Sequence, residues 1–304
     1  MHAIPTIATE VHARLPKKLR RDGVETPWSL ARGSGPLHSF LEGPSFDRAG
    51  RLYCVDISHG RIFRISPAGD WDVFADYDGN PNGLKIHRDG RIFVTDQKLG
   101  LLEFDPVNGR RTLVADGVDG ARFHALNDLV FADNGDLYFT DPGESGLENP
   151  VGRVFRRDAR GVITCLYEGL AYPNGIVVVP RQDQLLVAVS RTLQVLRMPM
   201  RDGRVFKASV FLQLSGGLAG PDGMALDEAG GLCVVHAGFG TVWHFDALGE
   251  PVARIRSCAG IRTTNVAYGG DDGRTLYITE AEQGVILRAK LPIAGRRMYS
   301  HTRD

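Results

Sequence analysis

Short apolar runs recur along this chain. Each opens on a small or polar pair, breaks at a glycine-containing turn, and resumes as a second run of β-branched and aromatic residues. The units are EGPSFDRAGRLYCVD from Glu42, NGLKIHRDGRIFVTD from Asn82, NDLVFADNGDLYFTD from Asn127, NGIVVVPRQDQLLVAVS from Asn174, DGMALDEAGGLCVVH from Asp222 and NVAYGGDDGRTLYITE from Asn265. Their starts are 40, 45, 47, 48 and 43 residues apart. A third run follows in most units, as in GRIFRISPAG, LGLLEFDPVNG, GRVFRRDARG and GTVWHFDALG. Alternating runs of this length between turn residues read as strands. A period in the forties with about four strands per unit is that of a propeller blade. Unconnected hairpins would leave their apolar faces bare, whereas blades stacked in a ring cover them. The expectation is therefore all-β: a six-bladed β-propeller with about four strands per blade and an N-terminal extension. Ring closure needs one terminus to complete the blade that the other begins. VILRAKLP at 285–292 ends the last unit, and ETPWSLARGSGPLHSFL at 25–41 is expected to add its missing outer strand. Residues 1–24 then form an extension packed on a rim, and residues 25–304 form a single propeller domain.

Composition narrows the partners. The 304 residues carry 36 basic and 36 acidic side chains, so no basic surplus points to nucleic acid or an anionic membrane. No apolar stretch approaches the roughly 20 residues needed to span a bilayer. The opening MHAIPTIATEVHARLPKKLRR has neither the order nor the cleavage-type ending of a secretory signal. Its KKLRR run is short enough for a solvated turn. Four separated cysteines (Cys54, Cys165, Cys233, Cys258) form no CxxC pair. Three lie in apolar runs, where a free buried thiol is usual. The expected location is cytoplasmic. GxSxG, HExxH, GxxxxGK[ST] and GxGxxG are all missing.

The chemistry lies in the phase of the repeat. Innermost strands of a propeller run beside the central channel, so residues at one phase share one height around the axis. The first residues of the units are Glu42, Asn82, Asn127, Asn174, Asp222 and Asn265, all carboxylates or amides. Two readings compete. Asn-Gly, Asn-Asp and Asp-Gly pairs also mark turns. Converging oxygens, on the other hand, suit a hard cation, which removes the repulsion between Glu42 and Asp222 while amides add neutral donors.

At these residues the chain resembles the senescence marker protein / gluconolactonase / luciferin-regenerating-enzyme family. The matching pieces are EGP at 42–44, LND at 126–128 with DNGDLYFTDP at 133–142, YPNG at 172–175, PDGMALD at 221–227, then NVAYGG and RTLYITE, over about 240 residues in family order. The resemblance implies a six-bladed propeller holding one divalent ion on Glu42, Asn127, Asn174 and Asp222. Calcium comes first, with zinc, magnesium or manganese also accepted. It further implies hydrolysis of a small-molecule lactone such as a sugar-acid lactone, the ion acting as Lewis acid and Asp222 as general base. Members differ in metal and substrate, and some with this ligand set hydrolyse phosphofluoridates. A phosphotriester or other ester-like bond is therefore the alternative electrophile, and a calcium-plugged binding propeller the non-catalytic alternative.

Two departures from the family pattern bear on the pocket. ARFHA precedes Asn127 where many sugar lactonases have a glycine- and serine-rich stretch, so Arg122 and His124 are candidates to bind substrate, or surface loop residues. The loop DPGESGLENPVGR is shorter than in many relatives, which implies a more open site or one closed by the N-terminal extension. Asn82 and Asn265 share the phase of the ligands and suit bound water, substrate hydroxyls or a structural role. Asp128 is expected to bond backbone amides. His236 shares its phase with Asp56, Asp96, Asp141, Ser190 and Glu280, chiefly a strand-end set bonding neighbouring turns. Trp71 and Trp243 are expected between blades.

Overall fold

The structure, a computed structural model, describes residues 4–179 and 183–302. It is a six-bladed β-propeller. The blades begin with the innermost strands Leu41–Phe46, Pro81–Ile86, Leu129–Phe131, Pro173–Val179, Gly220–Leu226 and Thr263–Gly269. In each blade the remaining strands follow outward in antiparallel order. Each innermost strand touches the next around the ring, and the last touches the first. In the fourth blade the turn expected between the first two strands lies partly at 180–182, outside the described residues, as do residues 1–3 of the expected extension.

The ring is closed from earlier in the chain than expected. Strand Glu10–Arg14 pairs antiparallel with Val285–Lys290 and is the outermost strand of the sixth blade. Thr6–Ala8 adds a parallel fifth strand to the edge of the fifth blade. Residues 25–41 supply no outer strand. Pro27 suits the first turn of a helix, and Thr26 and Ser29 form a capping box, so Pro27–Ala31 is a short helix lying over the ring instead.

The core is divided into six wedges, one per blade interface. Trp71 is buried in the wedge between the sixth and first blades, and Trp243 packs on the one between the fourth and fifth. Cys54 and Cys233 are buried free thiols, whereas Cys165 and Cys258 are exposed. Cys165 lies on Ile163–Leu170, the outermost strand of its blade, where solvent replaces a neighbouring strand. No helix among the described residues is long and apolar enough to cross a membrane.

The C-terminal tail closes one end of the channel. Tyr299 stacks on Phe131 at 5.0 Å, and Ser300 donates to the Phe46 carbonyl at 3.1 Å. Both partners are at the far ends of innermost strands, so the starts of those strands face the other, open mouth.

Candidate active site

What turns the first residue of each unit toward the axis is a β-bulge. The pairing of the first two strands slips by one residue between Glu42 and Ser45, Pro81 and Gly83, Pro173 and Ile176, Pro221 and Met224, and Thr263 and Val266. Glu42, Asn82, Asn174, Asp222 and Asn265 all lie within these slips. An extra residue re-aims the local side chain, a device common beside active sites. The third blade differs: its innermost strand starts at Leu129, and Asn127 is held by its N–H donating to the Thr140 carbonyl at 2.9 Å.

The glycine after the polar residue serves the neighbouring blade. A Cβ at Gly175 would stand 2.3 Å from the Asp222 carbonyl oxygen, and one at Gly83 2.7 Å from that of Asn127. The Asn-Gly pairs are thus close-approach points within strands rather than hairpin turns. Hydroxyls latch the same backbones together. Thr140 Oγ1 donates to the Asn174 carbonyl at 2.7 Å, Ser190 Oγ to that of Pro221 at 2.7 Å, and Thr95 Oγ1 to that of Asn127. The hydroxyl residue of the recurrent VTD and FTD triplets, Thr95 and Thr140, is the sequence signal for these latches.

Glu42, Asn82, Asn127, Asn174 and Asp222 line one cavity of about 170 Å³ at the open mouth, with Phe40, Tyr172 and Arg191 among its other walls. Glu42 Oε2 accepts from Asn265 Nδ2 at 2.9 Å and from the Gly43 amide, leaving Oε1 without a hydrogen bond among the described residues. Asn174 Nδ2 donates to Ser190 Oγ at 3.2 Å. Asn174 Oδ1 and Asp222 Oδ1 are buried and have no hydrogen-bond partner among the described residues. Such orphans cost about 1–3 kcal/mol each unless something fills the gap. Oxygen acceptors facing a shared hollow fit a hard cation. Among the described residues no three His, Cys, Asp or Glu side chains cluster as a metal site, and here half the candidate donors are amides.

The channel also holds charges that the sequence reading underweighted. Asp128 is buried and accepts the Leu129 N–H at 2.8 Å, as expected, but its carboxylate also faces Lys85 Nζ at 3.9 Å. Burial, then the Asp128 charge, pushes Glu42 up to about 8. Burial, then the charges of Glu42 and Asp128, drives Asp222 well above the carboxylate range. Three carboxylates with one lysine call for two further positive charges, which a divalent ion supplies. Lys85 is conspicuous in sequence only as the one cation within an innermost strand.

Other candidates lie elsewhere. Arg122 is on a two-residue ribbon strand, 75% exposed and 3.6 Å from Asp116. His124 is exposed, its N–H donating to Asp141 at 3.0 Å. Neither lines the cavity. Asn82 does, whereas Asn265 works through Glu42. His236 bonds a turn: Nε2 donates to the Gly216 carbonyl at 2.9 Å and Nδ1 accepts from Trp243 Nε1 at 3.4 Å, which engages both nitrogens of a neutral ring. Asp56, Asp96, Asp141 and Glu280 likewise accept backbone N–H groups of nearby turns. A mainly apolar hollow of about 100 Å³ continues the channel toward the C-terminal tail and lacks such a convergent oxygen set.

Known proteins agree with this architecture. The model for the SMP-30/Gluconolactonase/LRE-like region matches residues 40–282. A gluconolactonase of Zymomonas mobilis is 32% identical over 233 residues, 69% of this chain but only 63% of that enzyme. Lactonase drp35 of Staphylococcus aureus is 29% identical over 280 residues, covering 85% of this chain and 81% of that enzyme. The crystal structure of regucalcin from Agrobacterium tumefaciens, described as a calcium-binding protein, superposes with a TM-score of 0.79 at 21% identity, covering 99% of this chain and 100% of that one. With its six bladed repeats and its bulged ring of oxygen-bearing residues, this chain belongs to the SMP-30/gluconolactonase/LRE-like family.

Proposed function

We propose that this protein hydrolyses a lactone of a small, polar molecule such as a sugar acid, using one divalent cation held by Glu42, Asn127, Asn174 and Asp222. The observation that carries the reading is the pair of buried, unpartnered oxygens, Asn174 Oδ1 and Asp222 Oδ1, beside the Glu42 carboxylate on one cavity. The relatives named gluconolactonase and lactonase support the reaction class. Calcium is the first ion to test, because every donor is oxygen and the regucalcin relative is described as calcium-binding.

When bound, such an ion acts as a Lewis acid toward the lactone carbonyl and makes water more acidic. The protein's own groups do the rest. Asp222 is half-buried at the cavity wall, and its carboxylate is the base that would take a proton from an attacking water. Water adds to the carbonyl carbon, the ring C–O bond breaks, and the departing alkoxide regains a proton to give the open hydroxy acid. Glu42 is oriented by Asn265 and stays a ligand. Asn82, on the same wall, is placed to hydrogen-bond a ring hydroxyl.

The test is proton release at weakly buffered neutral pH across a panel of aldonolactones, before and after chelation and with Ca²⁺, Zn²⁺, Mg²⁺ or Mn²⁺ restored. Turnover that chelation abolishes and an added ion restores is expected. An ion-loaded protein inert to every lactone would move the assignment to another electrophile, such as a phosphotriester, or to a binding role.

A further inference from the structure

The mouth of the cavity carries two guanidinium groups without a carboxylate partner among the described residues. Arg191 belongs to the single turn Ser190–Thr192, lines the cavity, and lies over the Tyr172 ring at 4.8 Å. Arg32 follows the short helix Pro27–Ala31, stacks on Trp28 at 4.3 Å, and donates to Gln97 Oε1 at 3.3 Å. Its guanidinium also reaches the Tyr172 side chain. Tyr172 thus meets both cations and lines the cavity beside Asn174 and Asp222. Its backbone has φ 69°, a left-handed conformation costly for a bulky residue. That conformation is held by the Tyr172 N–H donating to Ser145 Oγ at 2.9 Å and its carbonyl accepting from the Ser190 N–H at 3.0 Å.

Other arginines near the ends of second strands are neutralised. Arg61 pairs with Asp56 and Arg153 with Asp141, both at 2.6 Å. Arg32 and Arg191 are exposed and form no ion pair among the described residues, and none of the guanidinium N–H donors of Arg191 finds an acceptor there. A cation in the channel leaves the buried charges balanced, so this positive rim is uncompensated. A guanidinium presents a planar fork of donors matched to carboxylate or phosphate oxygens.

We infer that Arg191 and Arg32, both in contact with Tyr172, recognise an ionised group of the substrate remote from the lactone carbonyl, so that the preferred substrates are anionic lactones rather than neutral aldonolactones. The inference rests on the lactonase reading above. It moves to Arg191 and Arg32 the cationic role that the sequence suggested for Arg122. It also gives the N-terminal segment a function, since residues 26–40 bring Arg32 and Phe40 to the mouth.

The test compares kcat/KM for a neutral aldonolactone, an aldarate monolactone bearing a free carboxylate, and a 6-phosphorylated aldonolactone, in the calcium-supplemented full-length protein. At least one anionic lactone is expected to exceed the neutral one by about tenfold or more, and which one does so identifies carboxylate or phosphate. Arg191→Gln should reduce that preference by roughly 10- to 100-fold, chiefly through KM, with Arg32→Gln acting in the same direction and less strongly. Raised ionic strength should compress the preference in the wild type. No preference for either anion, or equal losses on neutral and anionic substrates, overturns the inference. Should no lactone turn over, the lactonase reading fails on its own, and calorimetric titration with an open-chain aldarate against an aldonate decides the anion site. Tighter aldarate binding that R191Q removes sustains it, and equal binding overturns it.

Discussion

Asp222 stands where the competing demands on a single residue are sharpest. Its Oδ1 is buried without a partner, and two other carboxylates lie close enough to raise its proton affinity. An acid in that position is tolerable when a cation neutralises it, and it is then ionised and able to accept a proton. Asp222→Asn keeps the shape and removes the charge. It is expected to lower kcat by roughly 10²–10⁴ while the metal-free protein gains thermal stability, because one member of a repelling set is gone. Full activity of this variant with ion bound would remove Asp222 from the role of base. The same scale explains Asn265, whose amide sits on Glu42 Oε2 and leaves the other oxygen toward the cavity. Its shared phase was visible in the sequence, but its direction was not, because one bond decides which way an amide faces.

The innermost strand with its bulge is the element that makes the site. Five slips of register, at one phase in five blades, re-aim the oxygen-bearing residue at each strand start toward the channel. Close contact between blades then depends on the missing Cβ of the next residue. Gly175→Ala would press a methyl group against the Asp222 carbonyl oxygen, 2.3 Å away and part of the backbone, so relief requires the two blades to part. The expected cost is about 1–3 kcal/mol of stability, read as a lowered Tm, together with a higher ion requirement because Asn174 and Asp222 move apart. An unchanged Tm would show that the blades separate there without penalty. Sequence patterning located these glycines and suggested turns. The alternation of apolar residues does not distinguish a turn glycine from one on which another strand rests.

At the scale of the whole molecule, the channel couples folding to protons and ions. With no ion bound, Glu42 is pushed up to about 8 from 4.5, and Asp222 moves in the same direction. Folded-state values above the unfolded ones mean that folding takes up protons. The contribution is fully present below about pH 4.5 and is lost as pH rises through about 8. Thermal melts of the chelated protein should therefore fall by roughly 5–10 °C between pH 5 and 8.5, and a saturating divalent ion should remove most of that fall. Ion binding should release protons and tighten with pH over the same window. A chelated protein whose Tm rises across that window would contradict the buried carboxylate cluster.

By itself the sequence determined the blade count, the strand pattern within blades and the ring of oxygen-bearing residues, because each is periodic and a period survives without coordinates. Closure by Glu10–Arg14 was decided by tertiary structure: a lone outer strand has no repeat to announce it, and its partner lies more than 270 residues away at Val285–Lys290. The lining of the mouth was decided there too. Arg122 and His124 neighbour Asn127 in the chain yet do not line its cavity, whereas Tyr172 and Arg191 line it from separate segments and Arg32 reaches Tyr172 from another. Residues near Asn127 in sequence lie on a ribbon of their own, while those near it in space arrive from other segments of the chain. Only packing of the ring brings them together.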